Sequence, residues 1–164
     1  MYYFTFKTPN IFLRIISLFL LILLLTSCNQ EKDKMKWFTT KEAAINYGLH
    51  EENLNKENII GELKCNNEIF VVFNSGGKDN NLIGLSNLAK KDNEFLWYRS
   101  NPYTKVDRDI KISFIAKTFS NKEFYFYTGK ANGKTITIET NEGTVKPFVD
   151  ENTQIYYYIT EKLF

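Results

Sequence analysis

The chain is poor in the residues that carry most identifiable chemistry. It has one histidine, two cysteines and three prolines in 164 residues. A Ser–His or Cys–His nucleophile pair would have to use His50, and no feature places Cys65 or any serine beside it. His50 lies between Gly48-Leu49 and Glu51-Glu52, which reads as a solvated loop. No internal repeat and no heptad pattern is present, which removes solenoids and coiled coils. Ser75-Gly76-Gly77-Lys78 lacks the Gly-x-x-x-x-Gly-Lys-Ser/Thr spacing of a phosphate cradle and reads as a turn. No apolar run reaches the roughly 20 residues a membrane-spanning helix needs.

What the first 28 residues contain is an ordered series. Lys7 and Arg14 are basic and no acid accompanies them, which holds the N-terminus on the cytoplasmic side. The apolar run from Ile15 to Leu25 has 11 residues, the length of a signal-peptide core. It ends in Leu25-Thr26-Ser27-Cys28, a branched apolar residue, two small ones and a cysteine. This stretch resembles the lipobox of bacterial lipoproteins. The resemblance implies that the Cys28 thiol carries a diacylglyceryl group and that a dedicated peptidase cuts between Ser27 and Cys28. Two acyl chains on one glycerol make a stable anchor where one chain would not. An ordinary secretory signal or an uncleaved N-terminal anchor is the alternative.

Cleavage leaves residues 28–164, that is 164 less 27, or 137 residues, enough for one domain with a real core. The removed segment holds two of the 21 basic residues and none of the 19 acidic ones, so the remainder has 19 of each sign. That balance gives no reason to expect nucleic acid as a partner. With Cys28 converted to a thioether, Cys65 is the one remaining thiol. An intramolecular disulfide is then excluded, and so is a structural zinc site built from Cys65 and His50. No cofactor is expected. Cys65 reads as a small half-buried hydrophobe at a strand end.

The lipobox resemblance implies a cleaved signal peptide over 1–27 and a lipidated Cys28, which opens a flexible tether over 28–36; a single mainly-β domain is expected over 37–164. Thr39 and Glu42 predict a capping box opening a helix of about two turns, with Phe38 and Ala43 as a hydrophobic staple and Gly48 as its stop. Asn55 predicts a further helical turn. From Ile59 the hydrophobic period becomes two. Ile69 to Phe73 is apolar on both faces, the mark of a central strand. Asn66-Asn67, Lys91-Asp92-Asn93 and Asn141-Glu142-Gly143 are turn signals, and Asn132-Gly133 predicts a tight hairpin between the strands at Phe124 and Thr135. Pro147 predicts an edge. The expectation is an α+β, mainly-β fold: a short N-terminal helix packed on one end, then eight or nine short antiparallel strands, sandwich-like or strongly bent. The acidic, Ala-containing helix followed by Gly-Leu and hairpins resembles uncharacterised small lipoproteins of low-GC Gram-positive bacteria, a likeness that implies no activity and no site residues.

Two aromatic sets are candidates for binding. Trp97, Arg99 and Tyr103 combine aromatic faces with a guanidinium, the composition of binding anchors and of sugar platforms. Tyr156 and Tyr158 share a strand face, as do Tyr125 and Tyr127, and if the two strands are neighbours four phenols line one surface. Core packing and cross-strand pairing are the structural accounts of both sets. The sequence therefore points to a non-enzymatic binding module held at the extracytoplasmic face of the cell membrane, with an envelope protein or a wall glycan as partner. The alternative is a small cell-envelope hydrolase using carboxylates such as Asp107, Asp109 and Asp150, which requires two acids to converge in a cleft.

Overall fold

Asparagine punctuates the β-rich part of the chain, and the turns show why. The computed structural model describes residues 35–76, 81–107, 110–133 and 135–162. Its elements run β1 (Trp37–Phe38), α1 (Lys41–Glu51), a 3₁₀ turn (Lys56–Asn58), β2 (Ile59–Cys65), β3 (Glu68–Asn74), β4 (Leu82–Lys91), β5 (Glu94–Arg99), β6 (Thr104–Lys105), β7 (Ile112–Lys117), β8 (Glu123–Lys130), β9 (Ile138–Thr140), β10 (Gly143–Val145), β11 (Phe148–Val149) and β12 (Ile155–Glu161). Asn66-Asn67 between β2 and β3, and Asp92-Asn93 between β4 and β5, all take positive φ from 45° to 65°. Short polar side chains tolerate that region, and two such residues make the hairpin turn whose twist matches the strands.

The fold is mainly β with antiparallel sheets. The larger sheet has the order β1-β5-β4-β3-β2, with β6 also paired to β4. A second sheet has the order β11-β12-β8-β7, and β9 and β10 form a separate hairpin. Among the described residues there are twelve strands rather than the eight or nine expected. The surplus consists of two- and three-residue strands, too short to show a period in sequence.

The central position of β3 matches its pattern. Phe70 and Val72 join Ile83 and Leu85 in a core shared with Phe124, Phe126, Ile155 and Ile159 of the second sheet. Val71 and Phe73, on the opposite face, pack with Leu88 against Ala44, Ile45 and Leu49 of α1. Each fully buried Phe or Val of this strand contributes roughly 1.5–3 kcal/mol. The helix therefore lies on a face of the larger sheet, not on one end of the fold.

Three details of the helix depart from expectation. The cap is Thr40, whose hydroxyl accepts from the Ala43 backbone N–H at 3.1 Å. Trp37 and Phe38 are taken up in pairing with Leu96 and Phe95, which moves the helix start one residue on and leaves Thr39–Glu42 and Phe38–Ala43 out of register for capping box and staple. Gly48 does not stop the helix, which continues to Glu51 and carries the exposed His50 in its last turn instead of in a loop. Gly48 is there because the indole of Trp97 lies against its Cα: a Cβ would fall inside the Trp97 ring. Asn55 does cap the following 3₁₀ turn, its side chain accepting from Glu57 N–H at 2.9 Å.

The turn at Asn132-Gly133 forms, with φ of 51° and 70°, but not as a hairpin. Its strand β8 is already flanked by β7 and β12. The chain beyond Gly133 therefore leaves the sheet and returns as the β9–β10 hairpin. Pro147 separates β10 from β11, and β11 forms the edge of the second sheet.

Candidate functional site

Two places gather the aromatic and polar residues singled out above. The first is the C-terminal end of α1. Alternation along β5 sends Trp97 and Arg99 to the helix face, and the loop after it returns Tyr103 to the same place. The Trp97 and Tyr103 rings pack on Phe73 at 5.5 and 6.1 Å between centroids. The Arg99 guanidinium sits 4.0 Å from the Tyr103 ring centre and pairs with Glu52 at 2.5 Å. Arg99 Nε donates to the Asn101 carbonyl at 2.7 Å, and the Tyr103 hydroxyl donates to the other Glu52 oxygen at 2.9 Å. Trp97, Arg99 and Tyr103 thus come together, but their charges and hydroxyl are used internally. They clamp the end of the helix to the loop after β5.

The second place is the outer face of the second sheet. β8 and β12 are neighbours, in a register that sets Tyr127 opposite Tyr158, Tyr125 opposite Thr160, and Tyr156 opposite Gly129. The four phenols do share a face, yet that face is covered by the chain itself. At the β9–β10 turn Glu142 accepts from the Tyr158 hydroxyl at 3.4 Å and from the Thr160 hydroxyl at 2.5 Å. Asn141 donates from its side chain to the Glu161 carbonyl at 2.9 Å. Tyr156 is 2% exposed. Tyr156 and Tyr158 accordingly cannot present an open aromatic surface to a partner. The hairpin displaced by the crowding of β8 has taken that surface.

What the hairpin leaves is a cleft of about 250 Å³ between β7 and β9. Ile112 and Ile138 supply apolar wall, Tyr127 and Tyr156 supply phenols, and Lys111, Ser113 and Glu139 complete the lining. Gly129 makes it possible: lacking a side chain, it lets the Tyr156 ring lie across the sheet with its hydroxyl over the glycine. The hydroxyl end of this almost wholly enclosed side chain is the part that meets the cleft. A glycine inside a strand is a sequence signal of close approach, and Gly129 in Tyr127-Thr128-Gly129-Lys130 points to this cleft alongside Tyr127 and Tyr156. Lys111, Ser113 and Glu139 had none, because the path of β9 is set by tertiary crowding.

The tyrosines of this strand pair are harder to ionise than free tyrosine. Burial, first, pushes up the pKa of Tyr127, Tyr156 and Tyr158 on this face and of Tyr157 on the opposite, core face, and the Glu142 carboxylate adds to the effect at Tyr158. A raised folded-state pKa means that the associated stability is intact below the unfolded value of about 10 and is lost as pH rises through the folded values. The denaturation midpoint should therefore stay level up to about pH 10 and fall beyond it. Chemical denaturation at a series of alkaline pH values measures this, and a midpoint unchanged well above pH 11 would refute the burial of these phenols.

The remaining candidates do not converge. Asp107 is exposed and pairs with Lys105 at 3.4 Å. Asp150 closes the turn into β12, accepting from the Thr153 N–H at 2.7 Å and its hydroxyl at 2.6 Å. Asp109 lies outside the described residues, as do Ser27, Cys28 and the whole of segment 1–34. Cys65 ends β2, half-buried, with its thiol pushed up first by burial and then by Glu142. Among the described residues no group of three or more His, Cys, Asp or Glu could hold a metal, and no helix is long and apolar enough to cross a membrane. No protein family, curated protein or solved structure matches this chain.

Proposed function

We propose that the chain is a lipoprotein of the bacterial cell membrane, anchored through Cys28 on the extracytoplasmic face, whose domain binds a partner without transforming it. The anchor part of this reading rests on Lys7, Arg14, the 11-residue apolar run and Leu25-Thr26-Ser27-Cys28. The binding part rests on one observation: a small cleft of mixed polarity, in which the Tyr127 and Tyr156 phenols meet Lys111, Ser113 and Glu139. The domain is read as a sandwich-like closure of two sheets over one core, with α1 on one outer face and the cleft on the other. Its action is passive. The lipid concentrates the domain at the membrane surface, and the residues before Trp37 lift it off the headgroups by on the order of 15 Å if they are flexible. The hydrolase alternative draws no support from Asp150, whose carboxylate is taken up in a turn.

Cys28→Ala tests the anchor. In cells supplied with labelled fatty acid, the parent chain should carry label and fractionate with membranes, while the variant should lose the label and the membrane association together. A variant that stays in the membrane would establish an uncleaved apolar anchor in place of a lipid.

A further inference from the structure

We propose that the cleft over Gly129 takes a single pyranose ring of an uncharged glycan, seated against the Tyr127 ring and hydrogen-bonded by the Tyr156 hydroxyl. This specifies the ligand class of the binding reading above and rests on it. Size comes first. At about 250 Å³ the cleft is smaller than the roughly 300–1,000 Å³ that encloses a drug-sized molecule, so its occupant is one small ring rather than an extended chain.

Charge narrows the class further. Lys111 and Glu139 place one cation and one anion on the lining, and Ser113 adds a hydroxyl that both donates and accepts. An anion such as phosphate would gain Lys111 but meet Glu139, and a cation would meet the reverse. A neutral ligand with several hydroxyls can use both, donating to the carboxylate and accepting from the ammonium. Glu139 is already oriented for this, since the Thr144 hydroxyl donates to its Oε1 at 2.7 Å.

The walls decide between a polyol ring and a hydrocarbon. Ile112, Ile138 and the Tyr127 ring suit the C–H face of a sugar. A purely apolar occupant would cover the Tyr156 hydroxyl and leave it unpaired, which is the costly arrangement for a buried donor. A phenol is un-ionised at neutral pH, where it can both donate and accept. A pyranose satisfies apolar wall and buried hydroxyl together.

The test uses the full-length chain in detergent micelles and saturation-transfer NMR with methyl glucoside and methyl N-acetylglucosaminide, with inorganic phosphate and hexanoate as competitors. Ring protons of at least one glycoside should receive saturation, with Kd on the order of 1 mM for so few contacts. Tyr156→Phe, which keeps the ring over Gly129 and removes one hydroxyl, should weaken binding about five- to tenfold. Tyr127→Ala should weaken it further, and Tyr103→Phe, on the helix side of the larger sheet, should leave it unchanged. If Tyr127→Ala fails to fold, Tyr156→Phe decides alone. No transfer to either glycoside by a folded protein overturns the proposal, and so does binding indifferent to Tyr156→Phe or displaced by phosphate or hexanoate. A folded, lipid-labelled protein that ignores both glycosides would refute the sugar and leave the anchored binding module standing. Sugar binding by a chain that never acquires lipid would do the opposite.

Discussion

Gly48→Ala should destabilise the domain by about 2–3 kcal/mol, against the direction that helix propensity alone dictates. In an exposed helix interior the same change stabilises by about 1 kcal/mol. Here the new methyl group would overlap three ring carbons of Trp97. The indole has little room to retreat, since Phe73 packs against it from the sheet. Overpacking of this kind typically costs 1–3 kcal/mol, occasionally more. Equilibrium denaturation gives the value, and a second background gives the cause. In Trp97→Leu the space beside Gly48 opens, so adding Gly48→Ala should become neutral or stabilising by up to about 1 kcal/mol. If the two substitutions simply add, the contact with Trp97 is not the reason glycine occupies this position.

The second large effect is expected at Asn87, fully buried in β4. Its amide nitrogen donates to Glu68 Oε2 at 3.0 Å and to the Ile69 carbonyl at 3.2 Å, while its oxygen accepts from the Phe119 N–H at 3.1 Å. Glu68 and Ile69 belong to β3, but Phe119 lies in the turn between β7 and β8. One side chain therefore ties the two sheets together at that end. The same turn sends the Phe119 ring between Trp37 and Tyr98, at 5.6 and 6.0 Å. Asn87→Leu keeps the volume roughly constant and strands the Phe119 N–H, so a loss of about 2–4 kcal/mol is expected. Hydrogen exchange at the Phe119 amide should accelerate in parallel. Asn87→Asp should cost more at neutral pH, because it sets a second carboxylate beside Glu68, and should recover part of that loss on acidification. A stable Asn87→Leu with an unchanged Phe119 amide would remove this bond from the account of how the sheets are joined.

What could be read from the sequence was local. Ile69 to Phe73 announced a strand buried on both faces, and Asn66-Asn67 and Asp92-Asn93 announced the turns they form, because those features depend on neighbours in the chain. Gly48 misled because a glycine after an amphipathic stretch ordinarily ends a helix, and only the distant Trp97 explains it. Asn132-Gly133 misled for a related reason: the turn is formed, but the place beside β8 that a hairpin needs is filled by β12. The candidate site shares this history. The shared tyrosine face was legible from alternation, whereas the cover over it depends on where β9 goes after losing that place. Trp97, Arg99 and Tyr103 were legible as a set, but not the Glu52 that occupies them.

The position of β3 bears on how the domain comes apart. Its alternate side chains belong to two cores, so neither layer can detach without exposing residues the other needs. The helix is thereby coupled to a sheet whose core it does not share, and loss of either should proceed as a single cooperative event. Such coupling leaves few partly opened forms for a protease to capture.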